Sequence, residues 1–174
     1  RIRKVLFIEF SMFYEPKNDN PFEIDPFKSL IFPRPIGWIS SISKRGIANL
    51  APYSYFNAVA DEPPQVMFCS NGSSAHAKYK DSLSNILSTK EFVVNFATST
   101  TRNQMNKTSK DFKPDEDEFF LSNLKKKKSK LVKAPSVKDS PVNLECKFLK
   151  TIKLKSNSKK ISTMIVGEVI GIFI

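Results

Sequence analysis

The residues that could do chemistry fall in two short stretches. The first, residues 34–59, reads RPIGWISSISKRGIANLAPYSYFNAV and crowds Ser40, Ser41, Asn49, Ser54 and Asn57 around the sole tryptophan, Trp38. The second is Lys80-Asp81-Ser82, at the head of a segment with helical spacing. A helix start presents unpaired N–H groups and the positive end of the helix dipole, and both favour an anion. An irregular, Pro-broken backbone through ANLAPYSYFN would offer N–H and C=O groups to a flat polar ring. An anion site beside backbone amides suits a phosphorylated cofactor with a planar heterocycle. A plainer reading stands beside it: Trp38, Tyr53, Tyr55 and Phe56 are core or dimer-interface aromatics, and the serines are ordinary strand residues.

Other chemistries are poorly served. The sequence has neither GxGxxG nor a P-loop pattern, so no Rossmann turn or Walker phosphate loop is written in it. Its one histidine, His76, sits in the polar run NGSSAHAKYK and reads as a surface-loop residue. Cys69 and Cys146 lie in apolar strand-like runs and form no CxxC; with a single histidine, a zinc site lacks ligands and no metal is expected. Two buried thiols fit a reducing cytoplasm. The acids at 115–118 resemble paired carboxylates, but they precede FFLSNL and read as the opening of a short helix, explained by capping and the dipole.

The net charge of +11 suggests nucleic acid until it is located. Residues 124–160 hold 13 lysines against Asp139 and Glu145, which is the entire excess, and contain no arginine. Arginine is the usual bidentate reader of bases and phosphates, so lysines at a solvated helix end are expected and nucleic-acid binding is not. No apolar run approaches the roughly 18–20 residues of a membrane span. Residues 1–11 read as an N-terminal extension ahead of Met12, without the apolar core and cleavage site of a signal peptide.

The elements that must position these residues are mostly strands. PIGWISSIS (35–43) alternates Ile36, Trp38, Ser40 and Ile42 against Gly37, Ile39, Ser41 and Ser43, and Lys44-Arg45-Gly46 turns the chain into a short run at 47–51. Pro52 should break that strand or place it at a sheet edge. DEPP turns into QVMFCS (65–70). Residues 80–91 are the clearest helix, with Leu83, Ile86 and Leu87 on one face and Asp81 or Ser82 as cap. EFVVNF, two short helices within 100–124, and strands at 141–155 and 161–174 follow, with Gly167 and Gly171 free to bend the last around a barrel. The pattern predicts a mainly β protein: one antiparallel barrel with a few short flanking helices. The last strand has no closing element, so a missing C-terminal end or a covering subunit is expected.

PRPIGWISSIS, GIANLAPYSYFNAVADEPPQVMFCS, KDSLSNI with EFVVNF, SPVNLECKFLK and MIVGEVIGI together resemble, in order and spacing, the flavin reductase-like family of FMN-binding split barrels. The resemblance covers residues 12–174. It implies a Greek-key antiparallel split β-barrel, a homodimer, and FMN (or else FAD) near the subunit interface. It implies hydride transfer from NAD(P)H to flavin, with a partner oxygenase as one destination for the reduced flavin; a flavin carrier without turnover is the alternative. Carried over by position, Arg34, Ile36, Gly37, Trp38, Ser40 and Ser41 line the phosphate and ribityl side. Asn49, Ser54, Tyr55, Phe56 and Asn57 hold the ring, and Lys80, Asp81 and Ser82 meet the phosphate. Ser41 and Ser82 stand where the family often has Thr, which keeps the hydroxyl and loses β-branched stiffness. No catalytic side chain is implied, since the flavin carries the chemistry.

Overall fold

Every strand of the main sheet is held to its neighbours by antiparallel pairing, and the order of those pairs dictates the architecture. The computed structural model describes residues 12–16, 21–24, 26–72, 79–156 and 161–174, in two compact units, Arg1–Pro33 and Arg34–Ile174. His76 and the 1–11 extension lie outside the described residues. The first unit contains α1 (Phe27–Leu30), a single turn with no buried residue.

In the second unit, β1 (Gly37–Ile42) and β2 (Ala48–Tyr53) form a hairpin. Its turn is closed by Ser43 and Ile47 and by Gly46 at φ +84, a conformation that suits glycine. β3 (Phe56–Asp61) and β4 (Pro64–Asn71) form a second hairpin. Then come α2 (Asp81–Thr89), β5 (Glu91–Asn95), α3 (Arg102–Lys107) and α4 (Glu118–Leu121). The chain ends with a small pair, β6 (Lys126–Lys127) and β7 (Ser136–Val137), and two long strands, β8 (Asn143–Lys153) and β9 (Ser162–Phe173).

The seven-stranded sheet runs β2-β1-β5-β8-β9-β4-β3. Its two edges, β2 and β3, are therefore neighbours in sequence, joined only by Ser54 and Tyr55. Laid flat, seven strands would separate those edges by ~29 Å at the usual ~4.8 Å spacing. The link from Tyr53 to Phe56 reaches only ~10 Å at full extension. The sheet must curl until its edges approach, and the Tyr55 carbonyl accepts the Cys69 N–H at 2.9 Å, which continues the β3–β4 ladder into the link. The result is the split barrel expected from the sequence.

The barrel interior is filled from both sides of the curl: Ile39, Phe68, Phe92 and Ile165 are fully buried, and α2 closes it with Leu83 and Ile86. Outside β1, β2 and β5 lies a second apolar layer built on Trp38, Leu50, Phe119 and Val137. Complete burial of Trp38 and Phe119 stabilises this layer by roughly 2–3 kcal/mol each.

Three local expectations are corrected, and of the two outcomes expected at Pro52 the sheet edge is the one observed. Lys126 and Lys127 belong to β6 and not to a helix end; the four-residue α4 stops at Leu121. Segment 124–140 covers the sheet, tied down by its main chain to polar strand residues. Glu145 accepts the Lys130 and Leu131 N–H groups at 2.8 and 2.6 Å, Glu91 accepts Lys133 N–H at 2.5 Å, and Asn95 accepts Val137 N–H at 2.8 Å. Neither Asp81 nor Ser82 caps α2: both are inside the helix, and Lys80 stands at the cap with no side-chain hydrogen bond. The strand at 47–51 continues through Pro52 to Tyr53, because β2 is an edge. Leu50 points its N–H away from β1, and the Pro52 nitrogen, two residues on, faces the same outer side where no ladder donor is required. The irregular backbone accordingly lies at Ser54–Tyr55 and not at the proline.

Gly167 shows how tightly the interior is filled. A Cβ there would lie 2.5 Å from Cε1 and Cζ of Phe92 and 3.1 Å from the Lys147 carbonyl oxygen. Gly167→Ala is expected to cost about 1–3 kcal/mol through overpacking. Urea unfolding would show a lower midpoint at unchanged slope; an unshifted midpoint would contradict the packing described.

Candidate functional site

The link that closes the barrel gathers the first group of sequence-selected residues. Arg34 donates from its guanidinium to Ser54 Oγ at 3.2 Å and lies 5.6 Å from the centroid of the Tyr55 ring. Arg34, Ser54 and Tyr55 are all half-buried, so each keeps a face toward solvent. Phe56 turns inward, and the backbone of Gly37 gives it room: a Cβ there would sit 2.6 Å from its ring. Asn57 is exposed at the start of β3 and folds its own Oδ1 back to accept the Ala58 N–H at 2.9 Å. Ile36, just ahead of β1, is half-buried.

The second group meets behind that surface. Asn49 receives the Ser82 hydroxyl at 2.7 Å and the Ser41 hydroxyl at 3.3 Å on Oδ1, while Asn85 donates to Ser41 Oγ at 3.2 Å. Strands β1 and β2 are thereby tied to the first turn of α2. Tyr53, whose phenol is pushed up to about 12 by burial, has Ser82 beside it and leads directly into Ser54 and Tyr55. Lys80 and Asp81 stay half-buried at the head of the helix, whereas Ser82 is 1% exposed. Lys80 makes no side-chain capping hydrogen bond to the first-turn N–H groups, and Asp81 adds a carboxylate to that turn.

Trp38 and Ser40 do not reach an open face. Trp38 is fully buried and donates from Nε1 to Thr108 at 2.9 Å. Ser40, also fully buried, donates to the Pro135 carbonyl at 2.6 Å and receives Asn95 Nδ2 at 3.0 Å. Part of the polarity of this stretch thus holds segment 124–140 against the sheet.

Glu118 belongs to the same constellation and was not among the sequence candidates. It is 4% exposed, accepts Asn49 Nδ2 at 2.5 Å on one oxygen and accepts the Leu50 N–H at 3.0 Å on the other. Burial raises its pKa to about 7, against the lowering effect of these hydrogen bonds. Its neighbour Asp117 does the capping expected of the acidic run, accepting the Phe119 N–H at 3.0 Å and pairing with Lys126. The available signal was position: Glu118 immediately precedes the buried Phe119, on the inward side of a one-turn helix.

Among the described residues, no cluster of three or more His, Cys, Asp or Glu side chains could hold a metal ion, and no helix is long and apolar enough to cross a membrane. Cys69 and Cys146 are free and buried.

The family profile of the flavin reductase like domain matches residues 29–174. An uncharacterized protein of Aquifex aeolicus is 45% identical over 123 residues, which is 71% of this chain and 62% of that protein. Two solved structures are similar over most of the chain. Nitrilotriacetate monooxygenase component B from Bacillus cereus is 28% identical with a TM-score of 0.84, over 95% of this chain and 82% of the other. The 2-nitrobenzoate 2-nitroreductase of Pseudomonas fluorescens is 27% identical with a TM-score of 0.72, over 86% and 72%. Across five curated relatives the chain spans 53% to 72% of their lengths.

The buried carboxyl has a measurable consequence for stability. Between pH 4.5 and about 7 the folded Glu118 retains a proton that its unfolded counterpart has lost, so stability falls as pH rises through that window. The cost amounts to roughly 3 kcal/mol above it. Glu118→Gln should flatten that part of the profile, as read from urea midpoints across the window. Identical slopes in both proteins would rule this out.

Proposed function

The chain belongs to the flavin reductase-like family; from that premise we propose that it holds FMN at the split of the barrel and passes hydride from NAD(P)H to flavin. The observation that carries this reading is the coincidence of three features at one place. The barrel link leaves Arg34, Ser54 and Tyr55 partly open, α2 begins nearby in the chain of contacts through Tyr53 and Ser82, and the family profile spans both.

The residues present fit a flavin phosphate and ring in different ways. Lys80 and the first-turn N–H groups of α2 suit the phosphate by charge and dipole, and Asp81, itself an anion, meets it through its main-chain N–H and not its carboxylate. Arg34, Ile36 and Gly37 suit the ribityl side. Ser54 and Tyr55 present an irregular backbone and hydroxyls to the ring, beside the start of β3 at Phe56 and Asn57. Ser41, Asn49 and Ser82 are buried, and their role in this reading is to fix those walls from behind, whereas the buried Trp38 and Ser40 hold the layer on the other side of the sheet and are not assigned to the flavin. A bound flavin supplies hydride chemistry that no side chain here provides, so the protein's task is orientation and electrostatics. FMN is placed ahead of FAD on the family resemblance alone.

The Bacillus cereus neighbour is component B of a monooxygenase, which supports a partner oxygenase as the destination of reduced flavin. A homodimer is part of the same proposal. Asn57, Ala58, Val59, Ala60 and Asp61 are all exposed on edge strand β3, and Leu30 and Phe32 are exposed at 69% and 80%, so both offer apolar surface to a second copy. Free buried thiols agree with a reducing cytoplasm.

The test is spectroscopic and then kinetic. The purified protein is expected to be yellow, or to bind added FMN, and to oxidise NADH or NADPH in the presence of excess FMN. A protein that binds FMN without any nicotinamide oxidation would be a flavin carrier; one whose spectrum and stability ignore FMN would refute the reading altogether. Lys80→Ala should weaken FMN by roughly tenfold, the scale of one charge-assisted hydrogen bond, and riboflavin much less. Equal losses for both flavins would remove Lys80 from the phosphate.

A further inference from the structure

Glu118 is positioned to do more than neutralise two N–H groups. A carboxylate can only accept hydrogen bonds, so its oxygens fix the Asn49 amide with Nδ2 toward Glu118. Asn49 Oδ1 must then face the Ser82 and Ser41 hydroxyls, and each serine gives its single hydrogen to that oxygen. Ser41 also accepts from Asn85. In this state neither hydroxyl has a hydrogen left for any other acceptor.

Taking up a proton from solvent makes one Glu118 oxygen a donor. A half-turn of the Asn49 amide exchanges its oxygen and nitrogen with almost no change of shape. Asn49 Oδ1 can then accept the new hydrogen from Glu118, and its two N–H groups can serve Ser82 and Ser41. Both hydroxyls recover their hydrogens for other acceptors, and a negative charge disappears behind α2. We infer that Glu118 is a positioning residue whose charge sets the direction of the hydrogen bonds between β2 and the first turn of α2, and through them the strength of phosphate binding at that helix start. This rests on the flavin reading above.

The surroundings permit such a switch near neutral pH. Burial is the main influence on the Glu118 carboxyl, and Asp81 on α2 pushes the same way. On its own element, Asp117 is paired with Lys126. From β2, the Tyr53 phenol stays neutral throughout, its pKa pushed up to about 12 by burial. The Leu50 N–H holds the second Glu118 oxygen in either charge state.

Two measurements test the inference, one of them independent of flavin. In the flavin-free wild-type chain, the Asn49 side-chain amide resonances should move between about pH 5.5 and about pH 8.5, centred near neutrality, and should stay still in Glu118→Gln. The second measurement compares FMN with riboflavin over the same range. The preference for FMN should fall roughly fivefold toward high pH in the wild type, the scale of one screened charge. In Glu118→Gln, whose amide can donate to Asn49 at every pH, it should remain near the wild-type low-pH value. Ionisation of the phosphate itself affects both proteins equally and cancels in the comparison. Static Asn49 resonances in the wild type, or parallel FMN preferences in the two proteins, would overturn the inference. Titrating resonances with no binding of either flavin would support the hydrogen-bond switch and defeat the flavin reading instead. The wild-type titration decides the matter even if the variant does not fold.

Discussion

Two residues joining opposite edges of a seven-stranded sheet impose the constraint from which the other features follow. Because Ser54 and Tyr55 cannot span a flat sheet, the strands must curl, and the seam of the curl falls where the backbone is least regular. An irregular seam has main-chain groups and hydroxyls that ladder pairing does not consume. Arg34 lies against the seam through its bond to Ser54, and α2 closes the barrel interior with Leu83 and Ile86. The open chemistry of the molecule is thus a by-product of how the sheet closes.

The polar residues divide between two tasks that are easily confused. Glu91, Glu145, Asn95 and Ser40 bind the main chain of segment 124–140, and the bonds accepted by the two carboxylates contribute about 1.5–3 kcal/mol each. Ser41, Asn49, Ser82 and Glu118 instead brace β2 against α2 and α4. Ser40 and Ser41 are adjacent in sequence, yet the strand's twofold alternation sends them to opposite faces and to different tasks.

That division explains what could be read from the sequence. The β1 alternation, the Lys44–Gly46 turn, the α2 face of Leu83, Ile86 and Leu87, and the long strands at either side of residue 157 depend on local spacing, and local spacing is what a sequence displays. The same pattern pointed to an antiparallel barrel, and the family resemblance added its split. The partners of Glu91, Glu145 and Glu118 lie between 14 and 69 residues away, and nothing in the spacing of an acidic residue tells whether it caps its own helix or bonds a distant strand. Asp117 and Glu118 are the sharpest case: two adjacent carboxylates of near-equal chemistry, separated only by the direction in which one helical turn aims them. The lysines at 125–128 misled for a related reason, since a charge run is compatible with any exposed backbone and specifies none.

The way segment 124–140 is fastened has one further effect. Glu91 and Glu145 grip peptide N–H groups, while the side chains of Lys130 and Lys133 project into solvent. Every residue except proline supplies such an N–H. The surface chemistry of this face is therefore uncoupled from its anchorage, and lineages are free to exchange its basic charge for another character while the covering layer stays where it is.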